Sequence, residues 1–148
     1  MYYIAQANFA QWNDEVSSDL MKDFTEQAFQ IHQLAEKSNG FIWRFLDNEH
    51  QKLIDELFGI EKVVFNMTVW ESIEDLKEFT FKDVHCEAMK KRRQWFKKLP
   101  GTTLALWWVK YDCMPSVNEA KYKLDLINDK GSSSDAFSFN TQFKAPND

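Results

Sequence analysis

Two stretches of this chain, "VVFNMTVW" at residues 63–70 and "TTLALWWVKY" at residues 102–111, are dense in β-branched and aromatic residues and carry large apolar side chains on both of their faces. Side chains alternate sides along a strand, so a strand that is apolar on both sides belongs in a sheet covered above and below. The remaining elements have to provide that cover. "YYIAQANF" near the start reads as a first strand, and the polar "NDEVSSD" after it leads into a helix. Leu20, Phe24, Ala28, Ile31 and Ala35 form a helical stripe, with the stop expected at Gly40. "FIWRFLD" follows as a second strand, with Phe41, Trp43 and Phe45 on one face and Ile42, Arg44 and Leu46 on the other.

Residues 48–62 are polar apart from Leu53, Ile54, Leu57 and Phe58, and are expected to be an irregular excursion with one helical turn. Ser72 caps a helix beginning "SIEDLKEF", whose early acidic residues suit the positive end of the helix dipole. Pro100 and Gly101 set off the strand at 102–111, and Ser116 with Glu119 forms a capping box. The helix that this box starts is striped by Val117, Ala120, Leu124 and Ile127 and stops at Gly131. The order β-α-β-β-α-β with an extra C-terminal helix predicts an α+β, ferredoxin-like fold: an antiparallel sheet with helices on one face. Its other face then needs a second sheet, and a homodimer through the sheet face supplies one. A chain of 148 residues suits one core, so residues 1–139 are expected to form a single domain and residues 140–148 a loose tail.

A formal charge of −5 argues against non-specific binding to nucleic acid or to an anionic membrane surface. No run of about 18 apolar residues offers a membrane span, and the first 20 residues do not read as a signal peptide. Cys86 and Cys113 fit neither a disulfide framework nor a zinc motif, which makes a cytoplasmic protein the expectation. Ser-His-Asp patterns and glycine-rich phosphate loops are absent from the sequence.

The candidate site comes from "HCEAMKKRRQWF", residues 85–96. On a helical wheel His85, Met89, Arg92 and Phe96 fall in one apolar stripe, whereas Lys90, Lys91, Lys97 and Lys98 fall outside it. The stripe of Ile73, Leu76 and Phe79 lies opposite, so the chain is expected to break near Thr80. Apolar neighbours and an early helical position favour neutral His85, which can accept a proton or ligate a metal. An arginine in such a stripe cannot shed its charge and needs an anionic or carbonyl partner. That partner is either a protein group or a ligand, and the sequence leaves both open. His85 and Arg92 stand seven residues apart, about 10 Å along one helix face, within reach of one medium-sized ligand. Trp43, Arg44, Asn66, Thr68, Trp70, Trp107 and Trp108, on three strands, are candidates to line the same cavity, although large aromatics are commonly core.

The motifs "NGFIWRF", "NMTVWESIEDLKEF", "HCEAMKKRRQWF", "LALWWV", "MPSVNEAKYKLDLI" and "DAFSF" resemble, in order and spacing, the bacterial family known as domain of unknown function 3291. Asn39 stands where that family usually has proline, and the loop at 48–62 is less glycine-rich. The family is grouped with the dimeric α/β barrel superfamily, which includes cofactorless antibiotic-biosynthesis-type monooxygenases and haem proteins. The resemblance therefore implies a dimeric α/β barrel and a monooxygenase-like oxidoreductase acting on a hydrophobic or aromatic small molecule in the barrel cavity. In that reading His85 is base or hydrogen-bond donor and Arg92 holds a substrate oxyanion. No cofactor is the first expectation; the haem variant makes His85 the axial ligand and an arginine the propionate partner. The alternative is a non-catalytic module that binds or senses a small molecule or haem.

Overall fold

The computed structural model describes residues 1–13, 17–46, 50–82, 90 and 92–147, and of Arg93 the backbone alone. Among these, four strands and five helical segments follow in the order β1 (Tyr2–Gln11), α1 (Ser18–Glu36), β2 (Phe41–Arg44), α2 (Gln51–Phe58), β3 (Val63–Trp70), α3 (Ile73–Thr80), α4 (Arg92–Trp95), β4 (Leu104–Lys110) and α5 (Val117–Lys130). The strands lie side by side as β2-β3-β1-β4, and every pairing is antiparallel. This is the ferredoxin-like topology that the element order predicts.

The barrel is not present. The sheet is open, with β2 and β4 as its two ends, so the expected dimeric α/β barrel is corrected to an open four-stranded sheet. Closing a sheet around a filled interior takes about eight strands. Here helices cover the two faces instead.

Strand alternation sorts the core into two layers. Ile4, Trp70 and Leu106 point to one face, where Ala35 of α1, then Ile73, Leu76 and Phe79 of α3, and Phe137 pack on them. Ala5, Ala7, Met67, Val69, Ala105 and Trp107 point to the other, beneath Ala120, Leu124 and Ile127 of α5. At one corner of that second face Ile54 of α2 packs with Val63 and Val117. The helices thus lie on both faces rather than one, and the face expected to need a second copy is covered by the chain's own α2 and α5.

Local sequence explains most boundaries. Ser17, Ser72 and Ser116 each sit in extended backbone and accept a hydrogen bond from the N–H three residues on, which starts α1, α3 and α5. Only half of the expected box at Ser116 forms, because the Glu119 carboxylate accepts instead from the Trp107 indole at 2.9 Å. Helix α3 ends at Thr80, at the expected break. Residues 51–58 form a complete helix rather than an irregular segment, closed by Gly59 in the left-handed conformation. Asp55 ties it down, its carboxylate accepting from the backbone N–H groups of Lys62 and Val63 at 3.2 and 3.0 Å. Strand β2 is shorter than expected and carries a register shift between Phe41 and Trp43. An inserted residue reverses the alternation, so Phe41 and Arg44 share one face and Trp43 takes the other.

The C-terminal arm belongs to the fold through Phe143. Phe137 exchanges both backbone hydrogen bonds with Leu106 on the outer edge of β4, at 2.8 and 2.9 Å, and the Trp108 indole donates to the carbonyl of Phe143 at 2.9 Å.

Gly40 makes the turn into β2 at φ 79°, four residues past the end of α1, and a side chain there would run into the Asp75 carboxylate. Gly59, at φ 70°, has open space around it. Gly40→Ala is expected to cost roughly 2–3 kcal/mol and Gly59→Ala about 1 kcal/mol, the second being backbone strain alone, as measured by urea unfolding.

Candidate functional site

The helix-covered face that carries Ile4 and Trp70 is polar in its middle. Gln6 lies opposite Thr68 and Asn8 opposite Asn66, so two adjacent cross-strand pairs replace apolar residues with amides and a hydroxyl. Gln6 and Thr68 are 5% and 4% exposed. Burial of such groups is costly unless they are paired, and Thr68 is the hub of the pairing. Its Oγ1 accepts from the Trp70 indole at 2.9 Å and from Gln6 Nε2 at 3.0 Å, and Asn8 Nδ2 donates to Gln6 Oε1. Next in line is Arg44, opposite Thr68 on β2, whose Nε donates to Glu36 at 2.7 Å. His32, one helical turn before Glu36, has its pKa lowered, first by burial and then by the positive charge of Arg44. It is therefore a neutral imidazole at neutral pH.

A second feature lies at the far end of β1. Asn13, Arg92, Phe96, Lys97, Lys98, Leu99, Gly101 and Thr103 surround a cleft of about 680 Å³, a size typical of small-ligand sites. Its walls are pinned by the main chain: Asn13 N–H to the Trp95 carbonyl at 2.8 Å, Lys97 N–H to Gln11 at 2.9 Å, and Phe9 N–H to Thr103 at 3.1 Å. Asn128 of α5 holds the rim, accepting from Thr102 N–H at 2.7 Å and donating to its carbonyl at 3.0 Å. Of the eight described lining residues three are cations, and none of the eight is a carboxylate. Field lines from one sign of charge concentrate in a concave wall, so such a cleft favours an anion.

Arg92 differs from its expected place. It is exposed in the described helical segment Arg92–Trp95, and among the described side chains of that segment Trp95 is the buried one. The wheel assumed one uninterrupted helix through residue 96. The chain instead leaves the helix at Phe96, which bridges to Trp12. Arg92 and Phe96 nonetheless come together in the cleft. His85 and Met89 lie outside the described residues, as does Cys86.

The strand candidates do not line one cavity. Arg44, Asn66, Thr68, Trp70 and Trp108 share the polar-centred face, whereas Trp43 and Trp107 pack on the opposite one. The indoles of Trp70, Trp107 and Trp108 are all engaged by protein acceptors. Sequence reasoning missed Gln6, Asn8, Asn13 and Thr103, and it placed Lys97 and Lys98 on the surface. The alternating polar pair in "IAQANFA" was the available signal for the first two. Haem would need an axial donor. Its expected donor is outside the described residues, and no described residue lining the cleft is a histidine or cysteine.

Thr68→Val would leave the Trp70 indole and the Gln6 amide without their shared acceptor. It is expected to cost about 1–3 kcal/mol in chemical unfolding, with Thr68→Ser recovering most of it. For His32 the folded pKa lies below the ordinary 6.5. As pH falls below that value the unfolded chain takes up the proton first, so stability is lost on acidification, down through the lower folded pKa. His32→Gln should flatten this part of the stability profile and leave stability above neutral pH insensitive to pH as before.

Among the described residues no helix is long and apolar enough to cross a membrane. The fold is similar to that of a conserved protein from Methanosarcina mazei, at 13% identity and TM-score 0.51, covering 74% of this chain and 93% of that one. It is also similar to that of hydroxynitrile lyase from Passiflora edulis, at 9% identity and TM-score 0.52, covering 76% and 97%. A putative antibiotic biosynthesis monooxygenase from Nitrosomonas europaea aligns at 11% identity and TM-score 0.47, covering 74% and 88%. These likenesses concern architecture, which does not fix chemistry. No curated protein matches the chain in sequence. The model of the family described as domain of unknown function DUF3291 matches residues 3–148, and the chain, as its motifs suggest, belongs to that family.

Proposed function

We propose that the protein binds a small aromatic or hydrophobic anion in the cleft beside Arg92 and Phe96. The observation that carries this reading is a cleft of about 680 Å³ whose described lining combines Arg92, Lys97 and Lys98 with Phe96 and Leu99 and includes no carboxylate. A guanidinium grips a carboxylate or phenolate oxygen with a fork of donors, and an adjoining ring supplies the apolar wall that makes the site select an aromatic anion over a simple salt ion. Among the described residues Arg92 has no carboxylate partner.

Conversion of that ligand by oxygen, the monooxygenase-like step, requires a base for the substrate proton. In the sequence reading that base is His85.

Binding is tested by titrating the intrinsic tryptophan fluorescence with 2-naphthoate and with neutral 2-naphthalenemethanol. Saturable binding of the anion is expected, about tenfold weaker in Arg92→Ala and weaker again as salt is raised, with little response to the alcohol. Equal binding of both compounds, or binding indifferent to Arg92→Ala, would sink the reading. Aerobic incubation with phenols and quinols then separates the two roles. Oxygen-dependent product that disappears in His85→Ala makes the protein an oxidoreductase, and recovery of the compounds unchanged makes it a binding module.

A further inference from the structure

The cations of the cleft belong to a stretch whose charge runs against the rest of the chain. Residues 90–98 hold six lysines and arginines, and residues 88–111 hold no aspartate or glutamate, in a chain whose formal charge is −5. Of the six, Arg92, Lys97 and Lys98 line the cleft, and Arg92 and Lys98 are exposed. Like charges gathered along one wall repel each other, and a singly charged carboxylate offsets only one of them. The wall also carries amide donors. Lys98, Leu99, Gly101 and Thr103 line the cleft, and among the described residues their backbone N–H groups have no acceptor. Gly101 bends this stretch at φ 75°, and Asn128 clamps the neighbouring Thr102 by both its N–H and its carbonyl. Phe96 supplies the apolar wall, and the rings of Trp12 and Phe24 hold it in place at centroid distances of 5.1 and 5.2 Å.

We infer that the charged end of the cleft's ligand is a doubly charged phosphate, carried as a monoester on an aromatic molecule. This rests on the anion-binding reading of the cleft and narrows it from aromatic anions in general to aromatic phosphate esters. A phosphate monoester brings a charge of about −1.5 to −2 at neutral pH and three terminal oxygens. A carboxylate brings one charge and two oxygens. Arg92 takes two of the phosphate oxygens side by side through its guanidinium fork, and Lys98 answers the second charge as a point charge on a flexible stem. The remaining oxygen is left for the amides of the 98–103 stretch, and the Phe96 ring packs on the aromatic body.

The test compares 2-naphthyl phosphate with 2-naphthyl sulfate by calorimetry at about pH 7.5, where the phosphate carries nearly two charges. The two compounds share ring, shape and three terminal oxygens and differ by one charge. The native protein is expected to bind the phosphate about tenfold more tightly than the sulfate, and inorganic phosphate about tenfold or more weakly than the naphthyl ester. Lys98→Ala, a change at an exposed side chain, should remove most of the preference by weakening the phosphate far more than the sulfate. Arg92→Ala should weaken both. If the native protein binds phosphate and sulfate equally, or if Lys98→Ala leaves the preference intact, the inference fails, and the cleft reading stands as long as Arg92→Ala weakens both. If inorganic phosphate binds as tightly as the ester, the ring is not recognised and the inference fails as well. If neither ester nor 2-naphthoate binds, both readings fall together.

Discussion

Everything in this fold hangs on β1, which pairs with β3 from Ile4 to Gln11 and with β4 from Tyr2 to Asn8, so that its middle cannot be reached by solvent from either side in the plane of the sheet. A central strand must then be closed above and below, and its sequence accomplishes this with residues of unequal size. Ala5 and Ala7 on one face, beside Ala105, leave shallow ground on which α5 lies close through Ala120. Trp107 and Met67 fill the space around that contact. On the opposite face the same strand presents Ile4, then Gln6 and Asn8, so the layer is dry near α3 and polar towards the cleft end. Packing and polarity are thus set by one strand of ten residues.

The parts of the fold legible in the sequence are those fixed by local chemistry or by a long pattern. The two-sided apolar strands could only belong to a sheet covered on both faces, and Ser72 and Ser116 mark helix starts because a side-chain oxygen there satisfies an amide that the helix leaves unpaired. Helix α2 was not legible, because eight residues with two apolar pairs make too short a repeat; Asp55 and the docking of Ile54 give it its shape, and both depend on β3 and α5 being in place. The shift in β2 was hidden for a related reason. Alternation in sequence does not reveal an inserted residue, and a single insertion parted Trp43 from Phe41, which strict alternation puts on the same face.

For the site, composition was more informative than phase. An arginine and a phenylalanine at the end of the 85–96 segment do meet in a cleft, beside Asn13 and residues that follow as far as Thr103. The helical wheel projected Arg92 inwards, whereas in the structure Arg92 is exposed and Trp95 is buried. The polar pair on β1 carried a sequence signal that pointed to the inner face, and its hydrogen bonding to Thr68 became visible only once the strands were in register.

The arm that returns along β4 has a consequence for how the molecule meets other chains. An open sheet ordinarily offers two rows of unpaired amides and carbonyls, and each row is a template for uncontrolled strand addition. Here Phe137 occupies the middle of one border, and Trp108 fastens the segment behind it. The other border is a strand of four residues whose register is interrupted, too short and too bent to template a partner. Both borders of the open sheet are thereby blunted against strand addition.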